Sequence, residues 1–393
     1  MKLRGFLLSS TAIAAAAIIS IGAPSSAASL GSLEKRVKAL EKSGAGKPVS
    51  RAKSTIKFKI SGQINRAVQR VDNGLNSEIR HVTNTNSQNK LSFSGTGYLS
   101  DNIKVQARAE VGNDDSGSDS QSVTSTDVGN NTGFATTRYM ELIITRKSMG
   151  TLYLGHGEDA TDGTIASGDL SGTSIAMSGG ADEDLHFGRE QFVNSVGTVQ
   201  GTVDTFNNEM DGTRQDRIRY DTPSLGGLKI SVSHGNDDTI NYGLRYGGNF
   251  NGVKVSAAIG TAKNDGNSDI DTTSASIGAL LPMGLNFQFA TGERNLTSAA
   301  AGRNNPTMNY YRAGYRFKGS EIGETRLAVS LHDAEDNLAN GDEFQSLNFA
   351  VVQVIASLGT ELYAAYSNVN LTRTAVTDIQ DIDVITMGFR LNF

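Results

Sequence analysis

The 393-residue sequence predicts an all-β protein, an antiparallel transmembrane β-barrel. Three observations carry that reading: strict dyad alternation at the C-terminal end, an export-type N-terminus, and connections that alternate between tight and long. Asp383 to Phe393 reads D-V-I-T-M-G-F-R-L-N-F. Phe393, Leu391, Phe389, Met387 and Ile385 are large and apolar, and Val384, Thr386, Gly388, Arg390 and Asn392 lie between them. The result is a strand with one oily face and one largely polar face. Ending on an aromatic, it suits a barrel whose outer face meets lipid and whose lumen is wet. Phe389, Leu391 and Phe393 are thereby the candidate signal for barrel assembly.

At the other end, Lys2 and Arg4 precede an apolar run from Phe6 to Ile21, followed by Pro24, Ser25, Ser26, Ala27 and Ala28. A charged start, a short apolar stretch and a small-residue exit predict a secretory signal peptide over 1–28 and export through the Sec pathway. The apolar run is shorter than the ~20 residues of a helical span. Leu30, Leu33, Val37 and Leu40 follow at a/d spacing, so 29–43 is expected to form a short coiled-coil helix, with Arg36 and Glu41 at g and e. The segment 44–54 reads as a flexible basic linker, and 55–393 as the barrel.

Composition narrows the class. The chain has no cysteine or tryptophan, five prolines and 44 glycines. No stretch after residue 28 has the length and apolarity of a transmembrane helix, so membrane segments would have to lie in alternating strands. Without cysteine there are no disulfides and no thiolate chemistry. A net charge of −5 gives no reason to expect nucleic acid.

Alternation recurs along the chain. Ile103, Val105, Ala107, Ala109 and Val111 alternate with Lys104, Gln106, Arg108 and Glu110, and Leu228, Ile230 and Val232 with Lys229, Ser231 and Ser233. Sixteen strands are expected, starting near 55, 89, 103, 136, 151, 214, 227, 239, 252, 272, 284, 307, 323, 344, 359 and 382. Tight links at 100–102, 147–150, 222–227, 248–252, 282–284, 317–320 and 357–359 alternate with longer polar segments. Short turns on one rim and long loops on the other are the asymmetry of an outer-membrane barrel.

The longest connection runs from about Gly157 to Thr213. Around it, R-K-S-M-G-T-L-Y-L-G-H-G-E-D-A (146–160) and D-R-I-R-Y-D-T-P-S-L-G-G-L-K-I (216–230) resemble the strands flanking the third loop of the general diffusion porins of Gram-negative bacteria. Val352 to Asn368 resembles their penultimate hairpin, with a less basic turn at Ser357-Leu358-Gly359-Thr360. The resemblance covers about Thr55 to Phe393, and the N-terminal coiled coil looks like a variant of some subfamilies. It implies a homotrimer of sixteen-stranded water-filled barrels in the outer membrane, each with its third loop folded inward as a constriction.

Such a constriction selects hydrated solutes by fixed charge. Its candidate acids are Glu158, Asp159, Asp162, Asp169, Asp182, Glu183, Asp184 and Glu190. Its candidate bases, on the inward parity, are Arg108, Arg217, Arg219, Arg245, Arg312, Arg316 and Arg390. Tyr220, Tyr311, Tyr315, Phe317, Tyr366, Phe389 and Phe393 share the outward parity and suit interfacial girdles or subunit contacts. The expected function is passive diffusion of small hydrophilic solutes and ions, without a preference of sign legible in the sequence. Expected partners are outer-membrane lipids and lipopolysaccharide, the barrel-assembly machinery and, through 29–54, peptidoglycan. A rival reading is a barrel serving as cell-wall tether or surface adhesin. An enzyme is not expected, because His81, His156, His186, His234 and His332 stand in no G-x-S-x-G or H-E-x-x-H pattern. No cofactor or metal is expected either, since the carboxylates near His156 and His186 lack the regular spacing of a cation loop.

Overall fold

In the computed structural model the described residues are 56–113, 116–124, 136–178, 187–264, 270–296 and 302–393. The chain divides into two units, Met1–Pro48 and Val49–Phe393, and the described residues all belong to the second. The expected signal peptide, coiled-coil helix and linker lie outside the described residues, as do Asp182, Glu183 and Asp184.

The strands in chain order are β1 (Lys57–Asp72), β2 (Ser77–Thr83), β3 (Asn89–Ser100), β4 (Ile103–Asn113), β5 (Thr136–Arg146), β6 (Gly150–Glu158), β7 (Gln191–Val193), β8 (Val199–Thr202), β9 (Arg214–Asp221) and β10 (Leu228–Gly235). They continue with β11 (Thr239–Phe250), β12 (Val253–Asn264), β13 (Ile270–Leu280), β14 (Leu285–Leu296), β15 (Thr307–Ser320), β16 (Gly323–Glu335), β17 (Glu343–Ile355), β18 (Thr360–Thr372) and β19 (Ile382–Asn392). All but the β7–β8 hairpin belong to one antiparallel sheet. It closes where β19 pairs with β1, from Gln63↔Asn392 to Asp72↔Asp383. Reciprocal bonds of 2.8 and 3.0 Å between the backbones of Gly62 and Phe393 carry the seam to the last residue.

Because β2 pairs with Arg66–Asp72 and β3 with Lys57–Gln63, the two make one stave beside β1, and the barrel has sixteen staves. The sequence expectation placed no strand over 77–83. The reason is local: in T-N-T-N-S-Q-N (83–89) alternation vanishes, and side chains take over the backbone partners. Gln63 donates to the carbonyls of Ser87 (2.9 Å) and Gln88 (2.8 Å), and Asn65 donates to Ser87 (2.9 Å).

Alternation decides facing. In β1 Gln63, Asn65 and Gln69 are buried toward the lumen, whereas Ile64 and Val68 are exposed outward. The seven aromatics of outward parity are all 36–62% exposed, as that parity requires. Links on one rim are short; Asn251 and Gly252 both have positive φ, as a two-residue hairpin demands. The staves that flank the long loop, and the next one, are also short: β6 has nine residues and β9 eight, as has β10 beside it, against sixteen in β1.

The long loop folds into the barrel. Ile175, Ala176 and Met177 pack on the wall residues Ala328, Ala350, Val352, Tyr363 and Ala365. Further along, Phe187, Phe192, Val203, Phe206 and Met210 join Val71, Met308, Tyr310, Phe344, Val369, Leu371, Ile382 and Val384 in an apolar core within the lumen. Each large side chain so removed from water contributes about 1.5–3 kcal/mol.

Candidate functional site

The loop leaves β6 and re-enters β9 at a knot tied by one carboxylate. Asp159 accepts from the amides of Thr161 (2.7 Å), Asp162 (2.9 Å) and Thr213 (3.2 Å) and from the Gln215 carboxamide (3.3 Å). It is buried, and its charge is spent on joining the two ends of the loop.

From there the inward arginines hold the loop's backbone. Arg217 donates to the carbonyls of Glu158 (2.9 Å) and Gly155 (2.8 Å) and reaches Glu141 on β5 at 2.5 Å. Its path crosses Gly157, where a Cβ would stand 2.8 Å from both the guanidinium and the Glu141 carboxylate. Arg219 forks onto Asp221 (2.7 and 3.1 Å) and donates to the Asp159 carbonyl (2.7 Å). Arg245 donates to the carbonyls of Ala160 (2.9 Å) and Asp162 (2.6 Å). On the next arc Gly168 meets Gly278 of β13, where a Cβ would come within 1.8 Å of the Gly168 carbonyl oxygen. Arg312 pairs with Asp169 at 2.7 Å, Arg316 donates to the Leu170 carbonyl (3.2 Å), and Arg326 to that of Gly172 (3.0 Å). Asn84 completes the mooring at the Ile175 carbonyl, 2.9 Å away.

Several of the predicted charges are therefore structural ties. Burial pushes the Asp169 carboxyl up, but Arg312 and the Ser171 hydrogen bonds outweigh it and hold the group below its usual range. Burial likewise raises Glu190, and its pairing with Arg80 at 2.6 Å does not fully reverse this. Asp162 is pushed up to about 8 by burial and then by Glu158, with Asp211 and Asp159 adding to the effect against Arg214. It is mostly neutral at pH 7. Arg390 turns inward as expected and binds Glu361 (2.8 Å).

Arg108 lies over the Tyr139 ring, 3.5 Å from its centroid, and shares Glu141 with Arg217 at 2.7 Å. Beside it opens a polar recess of about 520 Å³, lined by Lys104, Gln106, Arg108, Ile143, Thr145, Thr151, Tyr153, Glu158, Arg217, Arg219, Asp221 and Lys229. Five cations face it against the carboxylates of Glu158 and Asp221, with Glu141 buried behind them. The structure thus gathers Arg108, Arg217, Arg219 and Glu158 at one recess. Arg312, Arg316 and Asp169 lie along the opposite course of the loop. Lys104, Lys229, Glu141, Tyr153 and Asp221 are additional. Parity alone could have found Lys104 and Lys229, because Lys104 alternates with the same apolar residues as Arg108, and Lys229 with Leu228, Ile230 and Val232.

A closed barrel with an apolar outside, an inward loop and a charged aqueous recess defines an outer-membrane channel for small solutes. The chain belongs to the Gram-negative porin family, whose model matches residues 10–374. Among solved structures it is similar to the anion-selective porin from Comamonas acidovorans, with 16% identity over 86% of this chain and 100% of that one and a TM-score of 0.57. It is also similar to the trimer form of OmpT from Vibrio cholerae (12% identity, 86% and 99%, TM-score 0.57). The outer membrane channel DcaP of Acinetobacter baumannii is a further likeness (13%, 89% and 100%, TM-score 0.56). At these identities the likeness is one of fold. Among curated proteins none matches the chain.

Proposed function

We propose that the channel works as a homotrimer and passes small anions in preference to cations, with Lys104, Arg108, Arg217, Arg219 and Lys229 setting the sign. The observation that carries this is the recess itself: five cations against three carboxylates, with Glu141 and Asp221 buried alongside Arg217 and Arg219, which they pair, so that Lys104, Arg108 and Lys229 stand more open to the lumen than these two acids. Of the loop acids predicted for the constriction, Asp159 and Asp169 are tied and Asp162 is mostly neutral. A fixed positive wall raises the local concentration of anions and repels cations. Two likenesses of fold lend support: the Comamonas porin is described as anion-selective and the Vibrio protein as a trimer. In this reading residues 1–28 direct export through the Sec pathway, and Phe389, Leu391 and Phe393, all exposed on the outer face, are read by the assembly machinery.

The test is a reversal potential in a planar bilayer under a KCl gradient. Conductance steps in groups of three with an anion-type potential are expected, and Arg217→Ala with Arg219→Ala should move that potential toward cations. A cation-type potential for the unmodified trimer, or one unmoved by the double substitution, would refute the assignment.

A further inference from the structure

The apolar core inside the lumen contains one group that does not belong with apolar neighbours. His332 points inward from β16, is 1% exposed, and among the described residues neither ring nitrogen has a hydrogen-bond partner. Its ring lies edge-on between Tyr310 (centroids 6.0 Å apart) and Phe344 (5.6 Å). Phe344 in turn meets Phe192 of the loop (6.3 Å), and Phe192 meets Phe206 (6.1 Å). A chain of rings thus runs from the wall through His332 into the distal half of the loop, residues 187–210.

We propose that residues 187–210 are an acid-released plug and that His332 is its trigger. At 1% exposure an imidazolium in this place would find no acceptor among the described residues, a cost that an apolar site does not repay. Among the described residues the groups around it are Tyr310 from β15, whose hydroxyl donates to the Ser178 carbonyl (3.1 Å), and Phe344 and Ser346 from β17. Ser330 and Ala334 lie on the same face of its own strand. The charge next along the inner face of β15 is the cation Arg312, already paired with Asp169. Protonation therefore favours the state in which the plug has left the wall and His332 meets water.

Further ties of the plug are polar. Asn194 bridges Ile379, Arg373 pairs with Asp342 at 3.0 Å and lies over Phe206, and Asn208 donates to the carbonyls of Thr307 (2.9 Å) and Glu335 (2.8 Å). Glu190 of the loop, raised by burial and paired with Arg80, is a second acid in the plug, so the test must separate it from His332.

The proposal rests on the channel reading, and the experiment keeps the two apart. Single-channel conductance of the full mature trimer is recorded from pH 7.5 to 4.5, beside His332→Phe and beside Asn194→Cys with Ile379→Cys. The chain has no cysteine of its own, and directly opposed antiparallel residues lie within disulfide reach. The docked-to-undocked ratio should fall about tenfold per pH unit below about 6.5, so wild-type conductance rises on acidification. His332→Phe should stay flat, and the oxidised double variant should stay flat until reduced. A flat or falling wild-type response, or a rise retained in His332→Phe, would overturn the trigger, the latter pointing to Glu190. Silence at pH 7.5 would instead refute the open-channel reading.

Discussion

Asp162 illustrates how one side chain's surroundings set its charge in the loop. Its ordinary value of 3.8 is raised to about 8 by burial and neighbouring carboxylates, so the folded protein favours the protonated form. The stability linked to this group is full in acid and is lost as pH rises from about 4 through 8. The same titration adds a negative charge to the loop above pH 8. Anion preference should therefore weaken between pH 7 and 9 in reversal-potential measurements, and Asp162→Asn should remove that step. This window lies above the one that governs His332, so the two effects separate on a single pH series.

At the level of elements, the loop and the wall meet through atoms that only a small residue permits. Gly278→Ala would place a methyl group against the Gly168 carbonyl oxygen, which a Cβ would approach to 1.8 Å. Near the same contact, Ser276 and Gln288 bind the carbonyls of Thr164 and Ile165. The substitution should lift this arc of the loop and raise single-channel conductance while the barrel still folds, as judged by heat-modifiable migration on gels.

What the sequence made legible follows from the same physics. A period of two marks every stave from β3 to β6 and from β9 to β19, because lipid on one side and water on the other impose it. It also selects the inward arginines. Their partners escape it, since Arg217 finds Glu141 two staves away and Arg245 finds loop carbonyls that carry no side-chain signature. The lumenal core was missed although a trace was present. Val71, Met308, Phe344, Val369, Leu371, Ile382 and Val384 are apolar at inward positions, each near the long-loop end of its strand. Apolar residues on the wet parity at one rim signal that something dry covers them.

At the scale of the whole molecule, the wall is not equally tall all round. Eight residues of strand rise roughly 26 Å, and a tilt near 40° brings that to about 20 Å, short of the ~25 Å apolar band of such barrels. The arc of β9 and β10 is therefore hydrophobically mismatched to the bilayer, whereas the sixteen-residue β1 is not. Outward at the edge of this arc stand His156 of β6 and Asp216 of β9, paired at 3.2 Å, where acyl chains would have to meet them. A lone barrel must thin the lipid beside this arc, and a neighbouring copy set against it removes the need. Lengthening the acyl chains should thus raise the fraction of barrels that migrate as trimers on unheated gels. In this way the entry of one loop into the lumen, by shortening the staves that carry it, makes membrane thickness a force for assembly.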